Sequence, residues 1–179
     1  MRRQLYHAPV ARQADLVRSG GPGPTAAPHR RFASLALIAS LNSEETIRVL
    51  LSTPGTWAVV GCSPSPHRDS HRIAALLQRR GNRILPVNPT AAGEEILGEP
   101  CHRSLTALPA CDAVDVVDIF RRADAAGAHV DEAIEIGARA VWMQLSVIDH
   151  AAAERALAAG LDVVMDRCPA IEVGRLGLR

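Results

Sequence analysis

Short runs of apolar residues alternate along this chain with segments whose apolar residues recur at helical spacing. Five runs have the length and the β-branched content of buried strands, and they span residues 57–60, 83–87, 114–120, 140–145 and 162–165. Helical spacing predicts helices over residues 70–80, over residues 130–136 and over the alanine-rich segment 149–160. The alternation predicts an α/β fold, namely a doubly wound, mostly parallel five-stranded sheet in one Rossmann-like domain, with helices on both faces.

A further helix should precede the first strand and open the folded part of the chain. Ser43 is the expected N-cap, because two glutamates follow it in the first turn. The residues that should pack this helix on the sheet are Ile47, Val49, Leu50 and Leu51. We therefore expect residues 42–175 to form one domain. Residues 1–41, with the Gly-Pro run at 20–24, are predicted to be a flexible or disordered tail, with a basic docking arm as the alternative.

Composition excludes several classes of partner. The net charge of +1 among 179 residues gives no global attraction to nucleic acid or to a membrane surface, and aromatic residues are only 3% of the chain. No run approaches the roughly 20 apolar residues of a membrane span. The four cysteines lack CxxC spacing, and the histidines do not cluster with them at zinc spacing. We expect a cytoplasmic protein with reduced thiols, no metal, no nucleic acid partner and no membrane partner.

The loop after the first predicted strand carries groups suited to an anion. It begins at Gly61 and offers hydroxyls at Ser63 and Ser70, beside the fixed positive charge of Arg68 and Arg72. A helix begins near the end of this loop, and free main-chain N–H groups at a helix N-terminus favour phosphate. In a parallel sheet, ligands bind at the carboxyl ends of the strands, which is where this loop lies.

The same loop differs from a dinucleotide-binding fingerprint. The pattern G-x-G-x-x-G requires glycines where this chain has Ser63 and Pro66. An NAD site also favours an acidic residue at the end of the second strand, where this chain has Asn88 and Pro89. Both differences disfavour NAD as the ligand.

Several motifs together resemble a known family. They are Gly61-x-Ser63-x-x-Pro66-x-Arg68-x-Ser70, Pro86-Val87-Asn88-Pro89, Ile96-Leu97-Gly98, Val116-Val117-Asp118-x-Phe120-Arg121, Trp142-Met143-Gln144-Leu145 and Val163-Val164-Met165-Asp166-Arg167-Cys168. Over residues 44–172 the chain resembles the small stand-alone CoA-binding proteins, which are similar to the N-terminal Rossmann-like domain of the succinyl-CoA synthetase α subunit. The resemblance implies that coenzyme A lies across the carboxyl ends of the strands.

The resemblance also implies roles for individual residues. Residues Gly61, Cys62 and Ser63 would approach the phosphate or pantetheine part of the ligand, and Arg68 and Ser70 would hold phosphate. Around the adenosine end and along the third strand the contacts implied are Val87, Asn88, Pro89, Phe120 and Arg121. Two positions depart from the family pattern: Cys62 stands where an aliphatic residue is expected, and His71 where an aromatic residue is common.

The resemblance leaves more than one function open. The favoured reading is a non-catalytic binding or regulatory module for CoA or an acyl-CoA. The alternatives are an NAD(P)-binding enzyme and the CoA-binding subunit of an acyl-CoA synthetase that acts with separate catalytic chains. The synthetase's second α domain and its ATP-grasp domain are absent from these 179 residues. A homodimer, or a complex with an unidentified protein partner, is a further alternative.

Three residues with polar or reactive side chains allow two roles each, and a fourth, Asp118, has one expected role. Cys62 either forms a mixed disulfide with the ligand thiol or is a buried thiol, and Cys168 is either activated by Arg167 or packs the last turn. Asp118, inside a strand, is expected to be structural and to bond a neighbouring loop. Gln144, at the end of the fourth strand, is either a ligand contact or a brace. No complete set of catalytic residues is visible, so we expect the protein not to be an enzyme by itself.

Overall fold

The computed structural model describes residues 41–178. The strands are β1 (Thr56–Val60), β2 (Arg83–Val87), β3 (Glu95–Ile96), β4 (Glu99–Pro100), β5 (Val116–Ile119), β6 (Ala140–Met143) and β7 (Asp162–Val164). The helices are α1 (Glu44–Ser52), α2 (Asp69–Arg79), α3 (Ala123–Glu135), α4 (His150–Ala158) and α5 (Pro169–Arg175), with a 3-10 turn at Leu105–Ala107. The tail predicted for residues 1–41 lies outside the described residues except for Leu41, which packs against the core.

Five strands form a parallel sheet in the order β2-β1-β5-β6-β7. This confirms the predicted α/β fold and its five-stranded parallel sheet. The chain moves outward from β1 to β2 in one direction and from β1 through β5 to β7 in the other. The direction therefore reverses between β1 and β5, and ligands of such sheets bind beyond the carboxyl ends at this switch point.

Helices cover both faces of the sheet. On one face α3 and α4 pack through small residues, among them Ala126, Ala133 and Ala153, onto Val117 and Val141. On the other face α1, α2 and α5 cover a second cluster. At the centre of that cluster the rings of Trp57 and Trp142 lie 5.8 Å apart between centroids. Burial on both faces accounts for strands that are mostly apolar rather than alternating between apolar and polar residues.

Some predicted helix boundaries are wrong. Helix α3 begins at Ala123 rather than at residue 130. Its Gly127 lies so close to α4 that an added Cβ would stand 2.9 Å from the Asp149 carboxylate, so this glycine permits close helix packing rather than interrupting the helix. The spacing of apolar residues predicts no helix over residues 169–175, where the structure has α5; the helix begins at Pro169, and proline favours the first helical position.

Two strand predictions and one packing prediction also need correction. β5 and β6 are shorter than the runs 114–120 and 140–145, because their ends bend into loops. After Pro89 the chain forms the antiparallel pair β3 and β4, which the five predicted strands do not include. Leu97 and Gly98 connect the two strands with φ values of 55° and 81°, the positive angles of a tight hairpin turn. Val49 is 47% exposed and does not pack on the sheet, whereas its three predicted companions in α1 are buried.

Candidate functional site

The ends of β1, β2 and β5 meet at Gly61. Its N–H donates to the carbonyl oxygen of Val87 at 2.7 Å, and the N–H of Phe120 donates to the carbonyl of Val60 at 2.9 Å. Gly61 has φ +83°, and an added Cβ would lie 2.6 Å from the Phe120 carbonyl oxygen and 3.1 Å from Cδ of Arg121. Only glycine suits this position. The structure therefore places Gly61, Val87, Phe120 and Arg121 together at the switch point of the sheet.

The loop between β1 and α2 is held by its own serines. Ser70 Oγ accepts a hydrogen bond from Ser63 N at 3.1 Å, and Ser63 Oγ accepts one from Ser65 N at 3.1 Å. His71 Nδ1 lies 2.9 Å from the Ser63 carbonyl oxygen. Ser70 is buried, so it braces the loop, while the proton of its hydroxyl remains able to donate to a ligand. The departure from the family pattern at His71 thus has a local structural role.

Helix α2 presents its N-terminus at the end of this loop. The first main-chain N–H groups of a helix have no acceptor within it, and the helix dipole favours an anion there. Arg68 is the N-cap residue and is exposed, and no carboxylate among residues 41–178 pairs with its guanidinium. Arg72 differs, because Asp69 binds its guanidinium group. Arg68 is therefore the available cation at this helix end.

A second unpaired guanidinium lies on the other side of the switch point. Arg121 follows β5, is exposed, and has no carboxylate partner within the described part of the chain. The next residue, Arg122, pairs with Asp124 at the start of α3. Two arginines without carboxylate partners, Arg68 and Arg121, thus follow the two strands between which the chain direction reverses.

Asn88 joins the end of β2 to the loop after β1. Its Nδ2 donates to the carbonyl oxygen of Cys62 at 2.9 Å, and its Oδ1 accepts from the hydroxyl of Thr90 at 2.9 Å. The Asn88 side chain is buried and its polar atoms are occupied by these contacts, while Pro89 is exposed beside it. Asn88 therefore shapes the edge of the site, and Pro89 offers the surface.

A buried carboxyl group lies beneath the adjoining strand ends. Asp118 is fully buried, and its Oδ1 accepts a hydrogen bond of 2.8 Å from Nε2 of Gln144. Oδ2 of Asp118 has no partner among residues 41–178. Burial raises the pKa of Asp118 to about 7, and the bond from Gln144 opposes this rise. The sequence predicts that Asp118 bonds a neighbouring loop. Its hydrogen-bond partner is instead the side chain of Gln144, at the end of the adjacent strand β6.

The cysteines near the site are sheltered rather than activated. Cys62 is fully buried in the core cluster of Trp57 and Trp142. Burial, together with the nearby Cys101 and Asp118, raises the pKa of the Cys62 thiol to about 12. A protonated, buried thiol is a poor nucleophile, which disfavours the mixed disulfide considered for Cys62. Cys168 is partly buried and packs against the same cluster.

The opposite edge of the sheet has different chemistry. A hollow at the amino edge of the sheet is lined by residues that include Gly55, Trp57, Asp115 and Arg139. The carboxylate of Asp115 accepts from Thr56 N and pairs with Arg139, so the charges of this hollow neutralise each other. Residues 41–178 contain no cluster of metal-ligating side chains and no helix able to cross a membrane.

Comparisons with known proteins point to one family. Residues 55–174 match the family described as CoA binding domain. The uncharacterized protein YneT of Bacillus subtilis is 32% identical over 126 residues, which are 70% of this chain and 90% of that protein. The solved structure of Prb, the PH1109 protein redesigned for binding, superposes with a TM-score of 0.70 at 37% identity, covering 76% of this chain and 94% of Prb. The structure of cell-free ID.343 from Thermus thermophilus superposes with a TM-score of 0.69 at 35% identity, covering 75% of this chain and 98% of that chain.

Proposed function

Because the chain belongs to the CoA binding domain family, we propose that it binds coenzyme A or an acyl-CoA at the carboxyl edge of its sheet. The observation that carries this proposal is the pair of exposed arginines, Arg68 and Arg121, that flank the contact between Gly61 and Phe120. CoA carries a pyrophosphate and a 3′-phosphate, and guanidinium groups bind phosphate through paired, charge-assisted hydrogen bonds.

The N-terminus of α2 suits the phosphate part of the ligand. The hydroxyl of Ser70, the side chain of Arg68 and the main-chain N–H groups of the first turn all lie at this helix end. Gly61, Cys62 and Ser63 contribute main chain close to the ligand, since Gly61 lacks a side chain and that of Cys62 is buried. The absence of a Cβ at Gly61 lets a phosphate approach the backbone closely.

The adenosine and pantetheine parts then extend to either side. Val87, Asn88 and Pro89 form the β2 side, where exposed Pro89 provides an apolar surface for the adenine ring. Phe120 and Arg121 form the β5 side, with Phe120 partly buried against the core. CoA thereby spans the ends of β2, β1 and β5.

We propose a binding or regulatory role rather than a catalytic one. The thiol nearest the site, Cys62, is held protonated by burial. The carboxyl of Asp118 is sealed beneath the strand ends, so it does not reach a ligand. An NAD-dependent activity is less well supported, because Asn88 takes the place of the acidic residue that binds the ribose and its side chain already bonds Cys62 and Thr90.

Isothermal titration calorimetry of the purified chain with CoA, acetyl-CoA, NAD and ATP tests the proposal. We expect CoA and acetyl-CoA to bind and NAD to bind at least about tenfold more weakly, which corresponds to about 1.4 kcal/mol. Comparing CoA with acetyl-CoA shows whether the thiol end is free or enclosed. Binding of NAD without binding of CoA overturns the proposal and restores the dinucleotide alternative.

A further inference from the structure

Two large apolar side chains are exposed in one loop of the described residues, the loop that joins β6 to α4. Leu145 is 51% exposed and Ile148 is 45% exposed, whereas Val147 between them is buried in the core. The loop is anchored to the chain that follows β7, because Ser146 N donates to Oδ1 of Asp166 at 2.8 Å. We call the two exposed side chains the corner patch. They leave apolar surface in water on a loop that is otherwise held in place.

The N-terminal part of the chain joins the domain at the same corner. The side chain of Asn42 accepts a hydrogen bond from Met165 N at 2.7 Å and donates one to the Met165 carbonyl at 3.0 Å. The residue after Met165 is Asp166, which binds the loop of the corner patch. Leu41 packs against the core cluster that contains Val147. The chain that precedes Leu41 therefore starts beside the corner patch.

The segment immediately before Leu41 is apolar. Residues 33–40 read Ala-Ser-Leu-Ala-Leu-Ile-Ala-Ser and contain no charged residue. Residues 1–32 differ, because they carry six arginines and one aspartate. Eight residues can extend over about 26 Å, at about 3.3 Å per residue, so this segment is long enough to cover a patch that adjoins its own end.

We propose that residues 33–40 dock on the corner patch, with the large side chains of the segment packed on Leu145 and Ile148. Docking removes apolar surface of both partners from water. The segment is tethered beside the patch, so its effective concentration there is high. The proposal does not depend on CoA binding.

A second copy of the chain suits the corner patch less well. A stable interface between two proteins buries about 800 Å² on each partner, and two half-exposed side chains offer far less than that. A short segment of the same chain needs no such area. Residues 33–40 then belong to the folded domain, and the expected flexible tail is limited to residues 1–32.

A double-mutant cycle in the full chain, without CoA, tests the docking. The variants are Ile148→Ser, the paired change Leu37→Ser with Ile38→Ser, and all three changes together. Urea unfolding gives the equilibrium constant of unfolding for each. If the segment covers the patch, the combined effect on this constant should differ from the product of the separate effects by about threefold or more, as for residues in contact.

Two controls match these changes away from the contact. Val49 is 47% exposed, as Ile148 nearly is, but it lines the hollow at the amino edge of the sheet. Leu16→Ser with Val17→Ser removes an apolar pair from the part of the tail that is not expected to dock. A cycle of Val49→Ser with the pair at 37 and 38, and a cycle of Ile148→Ser with the pair at 16 and 17, should each deviate by less than about twofold.

Three results overturn the proposal. The first is a test cycle whose deviation is no larger than that of the controls. The second is a full chain that sediments as a dimer and becomes monomeric on Ile148→Ser, since the patch then binds a second copy. The third applies should Ile148→Ser not fold: the pair at 37 and 38 should shift the amide NMR signals of residues 145–148, the pair at 16 and 17 should not, and unchanged signals in both refute the docking.

Discussion

The side-chain amide of Asn88 donates a 2.9 Å hydrogen bond to the main-chain carbonyl of Cys62. This bond joins the end of β2 to the loop after β1, across the proposed binding edge. Asn82 makes an equivalent link at the opposite edge: its Oδ1 accepts from Gly55 N at 2.9 Å, and its Nδ2 donates to the Leu77 carbonyl at 3.0 Å. The two buried asparagines form a natural pair for separating stability from binding.

Alanine at either asparagine should destabilise the fold. Each substitution leaves buried main-chain groups unsatisfied, at a cost of about 1–3 kcal/mol measured by urea unfolding. Only Asn88→Ala should also weaken CoA binding, by about three- to tenfold, because only Asn88 holds the loop that meets the ligand. If Asn82→Ala weakens CoA binding as much as Asn88→Ala, the loss of binding is not specific to the carboxyl edge of the sheet.

The unpaired arginines should dominate binding. We expect Arg68→Ala and Arg121→Ala each to lose about 1.5–3 kcal/mol of CoA binding free energy, the range for hydrogen bonds to charged groups. Arg79→Ala is the matched control, since it removes one exposed charge from the far end of α2. That control should change the binding free energy by less than about 0.5 kcal/mol, because solvent and salt screen distant charges.

The same variants assign the phosphates. Titration with CoA lacking its 3′-phosphate should show an undiminished loss for the arginine that binds the pyrophosphate and little loss for the one that binds the 3′-phosphate. Losses that are equal for Arg68→Ala, Arg121→Ala and Arg79→Ala would indicate a general charge effect, and the assignment of these two arginines would then be wrong.

Asp118 should make stability depend on pH. Burial raises its pKa to about 7, whereas in the unfolded chain the carboxyl loses its proton near pH 4. Between these values the folded state retains a proton that the unfolded state has released, so the free energy of unfolding falls as pH rises and the penalty is constant above pH 7. Asparagine does not titrate in this range. The free energy of unfolding of Asp118→Asn, relative to that of the unaltered protein, should therefore rise by on the order of 2 kcal/mol from pH 5 to pH 8.

Chemical unfolding of both proteins at the two pH values measures this difference, and titrating histidines cancel in the comparison. A difference that does not change with pH would show that Asp118 stays ionised in the folded protein. If the stability of Asp118→Asn relative to the unaltered protein is instead higher at pH 5 than at pH 8, a cation stabilises the Asp118 carboxylate.

Thiol reactivity should follow burial. Cys62 is fully buried and its pKa is raised to about 12, whereas Cys111 is exposed. At pH 8 a disulfide reagent should modify Cys111 rapidly, because this thiol is exposed. The same reagent should leave Cys62 unmodified until the protein unfolds. Peptide mapping by mass spectrometry locates the modified thiol. Rapid modification of Cys62 in the folded state would revive a mixed disulfide with CoA.

Local sequence patterns were sufficient to predict the five-stranded sheet but not the short hairpin and the last helix that accompany it. The five core strands are mostly apolar and end in distinctive residues such as Gly61, so their number and order along the chain could be predicted. Helix α5 and the β3–β4 hairpin are short, and their signals in Pro169 and in the Leu97-Gly98 pair are weak when taken singly. Only the hairpin's pairing and the helix's packing make them recognisable.

The candidate site likewise contains contacts that local spacing predicts and contacts that depend on the folded sheet. That Arg72 is paired with Asp69 follows from their spacing of three on a helix, so the sequence contained the reason to prefer Arg68. The bond from Gln144 to Asp118 is different, because it joins residues 26 apart and depends on the register of β5 with β6. Such contacts between strand ends arise only when the sheet has formed.

The central claim is that CoA binds at the carboxyl edge of the sheet, and amide chemical-shift mapping of the ¹⁵N-labelled chain during a CoA titration tests it most directly. The account predicts that the largest shifts fall on the amides at the strand ends, those of Gly61, Ser63, Ser70, Phe120, Arg121 and Gln144. Shifts concentrated at the amino edge, around Gly55, Asn82 and Asp115, or no shifts at saturating CoA, would contradict it.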